Sequence, residues 1–81
     1  PYEYKPEELE ILEGALSVEK RGFAMYDKAA REVQSPRARA IFEHLAAEEQ
    51  RHYTLLKNTY DYIADPEGFA GFDGNPLLDG G

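Results

Sequence analysis

The sequence predicts an all-α fold: an antiparallel hairpin of two helices that pairs with a second hairpin into a four-helix bundle, followed by an irregular tail. Three observations lead there. Apolar residues recur at three- and four-residue steps through two long segments. Only Gln34 and Ser35 separate those segments, too short a link for anything but a fold-back. Each apolar stripe is wider than one helix–helix seam, so a lone hairpin leaves part of both uncovered, and a second hairpin is the simplest cover.

Residues 1–5 are a short leader, and Pro6 reads as a first-turn proline followed by Glu7 and Glu8, whose charges suit the positive end of a helix dipole. From there to about residue 33, Leu9, Leu12, Ala15, Leu16, Phe23, Tyr26, Ala30 and Val33 mark one apolar stripe with charges between them. Ser35 followed by Pro36 is a second start signal, an N-cap hydroxyl before a residue with preset φ and no amide proton. Ala38, Ile41, Phe42, Leu45, Leu55, Leu56, Thr59 and Ile63 carry the second stripe, and Asp65-Pro66 stops it near residue 64. Residues 6–64 are thus the hairpin, with arms of about 27 residues and roughly 40 Å. Residues 65–81 hold five glycines, four acids and no base, with Phe69, Phe72, Leu77 and Leu78 as the large apolar content. They read as an irregular tail that drapes its two Phe over the helix ends, and NPLLDGG is a weaker candidate docking peptide.

A chain of 81 residues is at most one domain and alone buries a thin core. It has no cysteine, which excludes disulfides, thiolate nucleophiles and cysteine-ligated iron or zinc. Stability then calls for a partner chain, a metal, or both. The net charge of −7 and the absence of a basic stripe argue against nucleic acid. No apolar run reaches the roughly 20 residues of a bilayer span and no signal peptide opens the chain, so a soluble, cytoplasmic protein with no membrane partner is expected. Pro1 fits either removal of an initiator Met or a cut from a longer chain.

Charge inside the stripes is the informative feature. Glu19 lies seven residues after Leu12 and seven before Tyr26, on the line of core positions. On the second helix, with Leu45 at zero, Glu49 falls near +40° and His52 near −20°, so both point inward, whereas Glu48 near −60° sits at the edge and His44 near −100° outside. Glu19 stands about 15.5 residues from the middle of the turn and the midpoint of Glu49 and His52 about 16, so all three share one level roughly 23 Å from it. That level is close to mid-helix, where a two-fold axis between paired hairpins would double the set to four carboxylates and two imidazoles. Leaving such a group buried without counterions costs many kcal/mol, and a pair of divalent cations removes the cost. Glu and His at i, i+3 with a Glu from a neighbouring helix is the ligand pattern of dinuclear carboxylate bundles, and oxygen-rich ligation with one imidazole per ion suits Fe or Mn, with Zn also able to bind. A single E-x-x-H is more often surface charge; face, height and mid-helix placement together favour the metal reading. Tyr26 has two readings, a hydrogen-bond partner for a ligating carboxylate and an ordinary core aromatic. Glu48 is expected to pair with Arg51 or the other hairpin, and Tyr53, Tyr60 and Tyr62 to pack. Gly22, in a helix interior where glycine costs about 1 kcal/mol against alanine, suggests a close approach.

The segments ALSVEKRGFAMYDKAA and ARAIFEHLAAEEQRHYTLLKNTYDYI resemble the two helices of one repeat of the rubrerythrin branch of the ferritin-like superfamily, over about residues 9–63. The first-helix Glu of that family, the Tyr two turns on, and the Glu and His of L-A-x-E-E-x-x-H fall here on Glu19, Tyr26, Glu49 and His52. The resemblance implies a ferritin-like bundle and a non-haem di-iron centre, with Glu19, Glu49 and His52 as ligands and Tyr26 as their supporting neighbour. It also implies an activity, ferroxidase or peroxide- and dioxygen-reducing. Ordinary members carry two repeats in one chain and this sequence carries one, so it is similar to half-length members, such as encapsulated ferritins, that rebuild the site across a dimer. Two irons per dimer are expected, with Mn or Zn as substitutes.

Two departures bear on function. Rubrerythrins proper have a cysteine-ligated iron domain that feeds electrons to the site, and without cysteine any peroxidase activity here needs an external electron donor. One repeat in those enzymes also carries a further carboxylate three residues after its first-helix Glu, where this chain has Gly22. The expected partner is a second copy. The alternatives are a ferroxidase held as cargo by the shell protein of a storage compartment, a redox-inactive dimer locked by Zn or Ca, and a metal-free interaction module.

Overall fold

The computed structural model describes residues 6–68. Among them are two helices and no strand: α1, Pro6–Glu32, and α2, Pro36–Ala64. Residues 1–5, and the tail from Phe69 onward with Phe72, Leu77, Leu78 and NPLLDGG, lie outside the described residues. No described helix is long and apolar enough to cross a membrane.

The helices pack against each other as a hairpin, and the local chemistry of the turn accounts for the reversal. Pro36 opens α2, and the Ser35 side chain, on a residue with extended backbone, accepts a 3.2 Å hydrogen bond from the Ala38 amide. That satisfies one of the first-turn donors left without a helical partner. Arg39, in the first turn of α2, reaches back to the end of α1: its Nε donates to the Ala30 carbonyl at 3.1 Å and its Nη2 to the Val33 carbonyl at 3.2 Å. One guanidinium therefore closes an orphan carbonyl in the last turn of α1 and a second carbonyl just past it, and ties the two arms together. At the far end the Asp65 amide donates to the Asp61 carbonyl, Pro66 prevents continuation, and Asp65 Oδ1 accepts from the Gly68 amide.

The core is thin, as the chain length implies. The buried apolar residues are Ala30 and Ala46, and no large side chain is fully buried among the described residues. Leu12, Leu16, Phe23, Phe42, Leu45 and Leu56 are half-buried in the seam. Asn58 is also buried, although its sequence position gave no reason to expect it.

Among the described residues six large apolar side chains are exposed: Ile11, Val18 and Met25 on α1, and Ile41, Leu55 and Tyr62 on α2. Their spacing is seven residues on α1, and on α2 seven residues with Glu48 at the omitted step. A seven-residue step turns a helix by only about −20°, so each set is a nearly straight stripe. Relative to Leu12 and Leu45, both stripes lie at negative angles, about −100° to −140° on α1 and −40° to −100° on α2. In an antiparallel pair, equal signs of rotation lead to the same side of the hairpin, so the stripes flank one face. Two cross-helix polar contacts belong to the opposite side. Lys20 Nζ lies 5.9 Å from the centroid of the Tyr53 ring, and the Tyr60 hydroxyl donates to Glu13 Oε2 at 2.9 Å. All four of those residues sit at positive angles, about +60° to +100°.

Replacing Ser35 with Ala is expected to destabilise the protein by about 0.5–2 kcal/mol in urea unfolding, with Ser35→Asp close to wild type, because only the former removes the capping acceptor. The hydrogen bond to Glu13 raises the pKa of Tyr60 above its usual value. Its stabilising contribution is therefore complete below the unfolded tyrosine value near 10 and disappears as pH rises through the folded one. Melting curves at increasing pH should show that alkaline loss in wild type and a smaller one in Tyr60→Phe.

Candidate metal centre

Glu19 on α1 and Glu49 and His52 on α2 converge at mid-hairpin. One ligand-type atom from each lies within 4.8 Å of the other two. Equal distance from the turn brings the two helices' residues to one level, and i, i+3 spacing places Glu49 and His52 on adjacent turns of one face. His52 Nδ1 lies 3.4 Å from Glu19 Oε1 and 3.4 Å from Glu49 Oε1, so one ring nitrogen stands between two carboxylates. The carboxylates are shielded, with side chains 19% and 20% exposed, while His52 at 56% opens toward solvent.

The neutral hydrogen-bonding capacity of this trio does not satisfy it. A single Nδ1 proton can serve one acceptor well, and both approaches are longer than the usual hydrogen-bond distance. Glu19 Oε1 is accordingly buried with no hydrogen-bond partner. An orphaned carboxylate oxygen beside a second carboxylate and an imidazole is an uncommon and costly arrangement unless a cation completes it. The three donors, two hard oxygens and a borderline nitrogen, match the preferences of Fe, Mn and Zn. Glu49 has a further fitted feature, because its carboxylate rests against α1 at Gly22, where any Cβ would overlap it. The residues present therefore fit a metal ion.

The neighbours separate clearly from the trio. Glu48 is held by Arg51 as an ion pair and lies 3.6 Å from His44 Nε2. The hydrogen bond from Arg51 is the main cause that lowers the Glu48 carboxyl pKa. His44 is exposed. Of the two roles open to Tyr26, the structure displays the aromatic one: its ring stacks on Phe42 with centroids 6.3 Å apart and planes at 24°, and it forms no hydrogen bond to Glu19. The pairing across the seam at that height is ring to ring. On the polar side of the hairpin an open cleft of about 370 Å³ is lined by Glu19, Lys20, Phe23, Gln50 and Tyr53, so Glu19 borders solvent-accessible space there.

An all-helical hairpin with inward carboxylates and an E-x-x-H pair at a common level fits a ferritin-like class of helical protein, and its carboxylate–histidine group could hold a metal ion. The chain belongs to the rubrerythrin family, whose model matches residues 4–69. Members of this family usually bind iron, in keeping with the donor set. Neither a curated protein nor a solved structure matches the chain.

Fe(II) or Mn(II) titration followed by calorimetry tests the trio directly. Glu19→Ala, Glu49→Ala and His52→Ala are each expected to weaken binding by more than about tenfold, since even neighbours that only orient ligands are worth 10–100-fold. Glu48→Gln and His44→Gln should leave it within about twofold, because these residues pair elsewhere.

Proposed function

We propose that this protein is a non-haem di-iron redox protein that oxidises Fe(II) or reduces peroxide or dioxygen at a carboxylate site completed by a second copy of the chain. The observation that carries this reading is the position of the trio in the seam between two exposed apolar stripes. Three donors from one hairpin fill half of a dinuclear shell, and the same hairpin carries exposed apolar area that a second copy would cover. A two-fold axis through mid-helix brings a second Glu19, Glu49 and His52 opposite the first, giving two irons per dimer, and buries Ile11, Val18, Met25, Ile41, Leu55 and Tyr62 against their counterparts. The same hairpin pairing supplies the apolar core that one hairpin lacks.

When bound, a pair of irons supplies the electrons that peroxide or dioxygen consumes. The chain's own residues set the conditions. Glu19 and Glu49 would offset cationic charge inside the seam, and His52 would contribute one nitrogen per hairpin. The apolar stripes exclude bulk water from the side where the hairpins meet. The cleft on the polar side then remains as the path by which a small oxidant reaches Glu19. With no cysteine in the chain, re-reduction requires an external electron donor. A compartment shell that takes up oxidised iron is the alternative acceptor of product.

Sedimentation of the iron-loaded protein should give a dimer with about one iron per chain, and Val18→Lys or Leu55→Lys should yield monomers that lose iron together with the dimer. Stopped-flow mixing of the ferrous dimer with hydrogen peroxide should consume one peroxide per pair of irons. Ferric iron retained after mixing marks the peroxidase branch, and ferric iron released into solution marks the ferroxidase branch. A monomer that binds iron fully, or a loaded dimer inert to both oxidants, would refute the proposal.

A further inference from the structure

Gly22 lies three residues after Glu19 on α1, at the level where α2 presents Glu49. An ideal Cβ added there would overlap Glu49 Oε2 and stand 3.1 Å from Glu49 Cδ and 3.5 Å from Cγ. These are the three nearest atoms, and all belong to one candidate ligand. Gly14, on the same helix, is the opposite case: a Cβ there would meet nothing within 4 Å. No glycine among the described residues has a positive φ, so backbone conformation explains neither of them. Glycine is otherwise a poor choice within a helix. At position 22 the missing side chain has a use, because the space it leaves is occupied by a carboxylate.

We propose that Gly22 is a positioning residue for the metal centre: it keeps open the volume in which the Glu49 carboxylate lies against α1 and is brought to Glu19 and His52. This inference rests on the metal reading of those three residues. The overlapping atom is the far end of a flexible side chain, so a methyl group at position 22 is accommodated by moving Glu49 and leaves α1 where it is. A helix tolerates that movement. A metal site does not, since ligands must be held within about 0.5 Å of their working positions. With glycine at position 22 the hairpin offers three donors at this level and no fourth from that position, and with Glu49 placed as it is here an added Cβ would take the space its carboxylate occupies.

Co(II) titration of wild type, Gly14→Ala and Gly22→Ala, read by visible absorption and paired with melting of the metal-free proteins, tests the proposal. Both variants should melt higher than wild type without metal, by up to about 5 °C, because alanine is the better helix former. Gly14→Ala should bind Co(II) as wild type does. Gly22→Ala should bind about 10–100-fold more weakly, with shifted d–d bands that report altered coordination. Equal affinity and an unchanged spectrum in Gly22→Ala would overturn the proposal. So would a loss of helicity or a lower melting point in its metal-free form, which would show that glycine serves the packing of the helices instead. Failure of wild type to bind Co(II) at all is a separate result that removes the metal reading, and the role of Gly22 with it.

Discussion

Two carboxylates and an imidazole nitrogen held in a half-buried seam with too few protons between them are the constraint on which the rest of this structure depends. Glu19 Oε1 is buried and unpaired, and Glu49 lies close enough to share the same His52 nitrogen. Two carboxylates side by side in a shielded seam repel each other. A hairpin built for stability alone would carry leucines at these positions. A divalent cation bound there would turn mutual repulsion into common attraction and would link metal uptake to folding.

The apolar face follows from the same constraint at a larger scale. Two helices of 27 and 29 residues can shield only one side of each other, and the described core is correspondingly limited to Ala30 and Ala46 with half-buried larger neighbours. The exposed residues are ordered as two stripes beside the charged trio, while the opposite side of the hairpin carries Lys20 over Tyr53 and the Tyr60–Glu13 hydrogen bond. Hydration is therefore partitioned between the two sides. One is furnished with polar contacts suited to water, and the other with side chains that gain by leaving it.

Much of this was legible in the sequence, for reasons that can be traced to individual residues. The hairpin was readable because the 3.6-residue period is strong and because Ser35-Pro36 is a start signal with a defined mechanism, which the Ser35–Ala38 hydrogen bond realises. Convergence of Glu19, Glu49 and His52 was readable because a two-residue link makes distance from the turn a ruler for both arms. The pairing of Glu48 with Arg51 followed from i, i+3 geometry. What the sequence left open depends on side-chain direction and on contacts between helices. Helical spacing cannot say that Tyr26 turns its ring onto Phe42, since both of its readings occupy the same position on the wheel. It hinted that Gly22 marked a close approach without identifying Glu49 as the group that approaches. The reach of Arg39 back to two carbonyls of the preceding arm had no local signal, because a long side chain at that place reads as ordinary surface charge.

That Arg39 clamp has a consequence for how such a chain can vary. By tying the start of α2 to the end of α1, it makes the turn the origin from which both arms are measured. A residue inserted between the turn and the trio on either arm would rotate the downstream donors by about 100° and displace them by about 1.5 Å, dispersing the group. An insertion beyond the trio, toward the open ends, leaves their register intact. The hairpin is thus length-critical on one side of its centre and permissive on the other, so variation in arm length among its descendants should accumulate at the ends farthest from the bend.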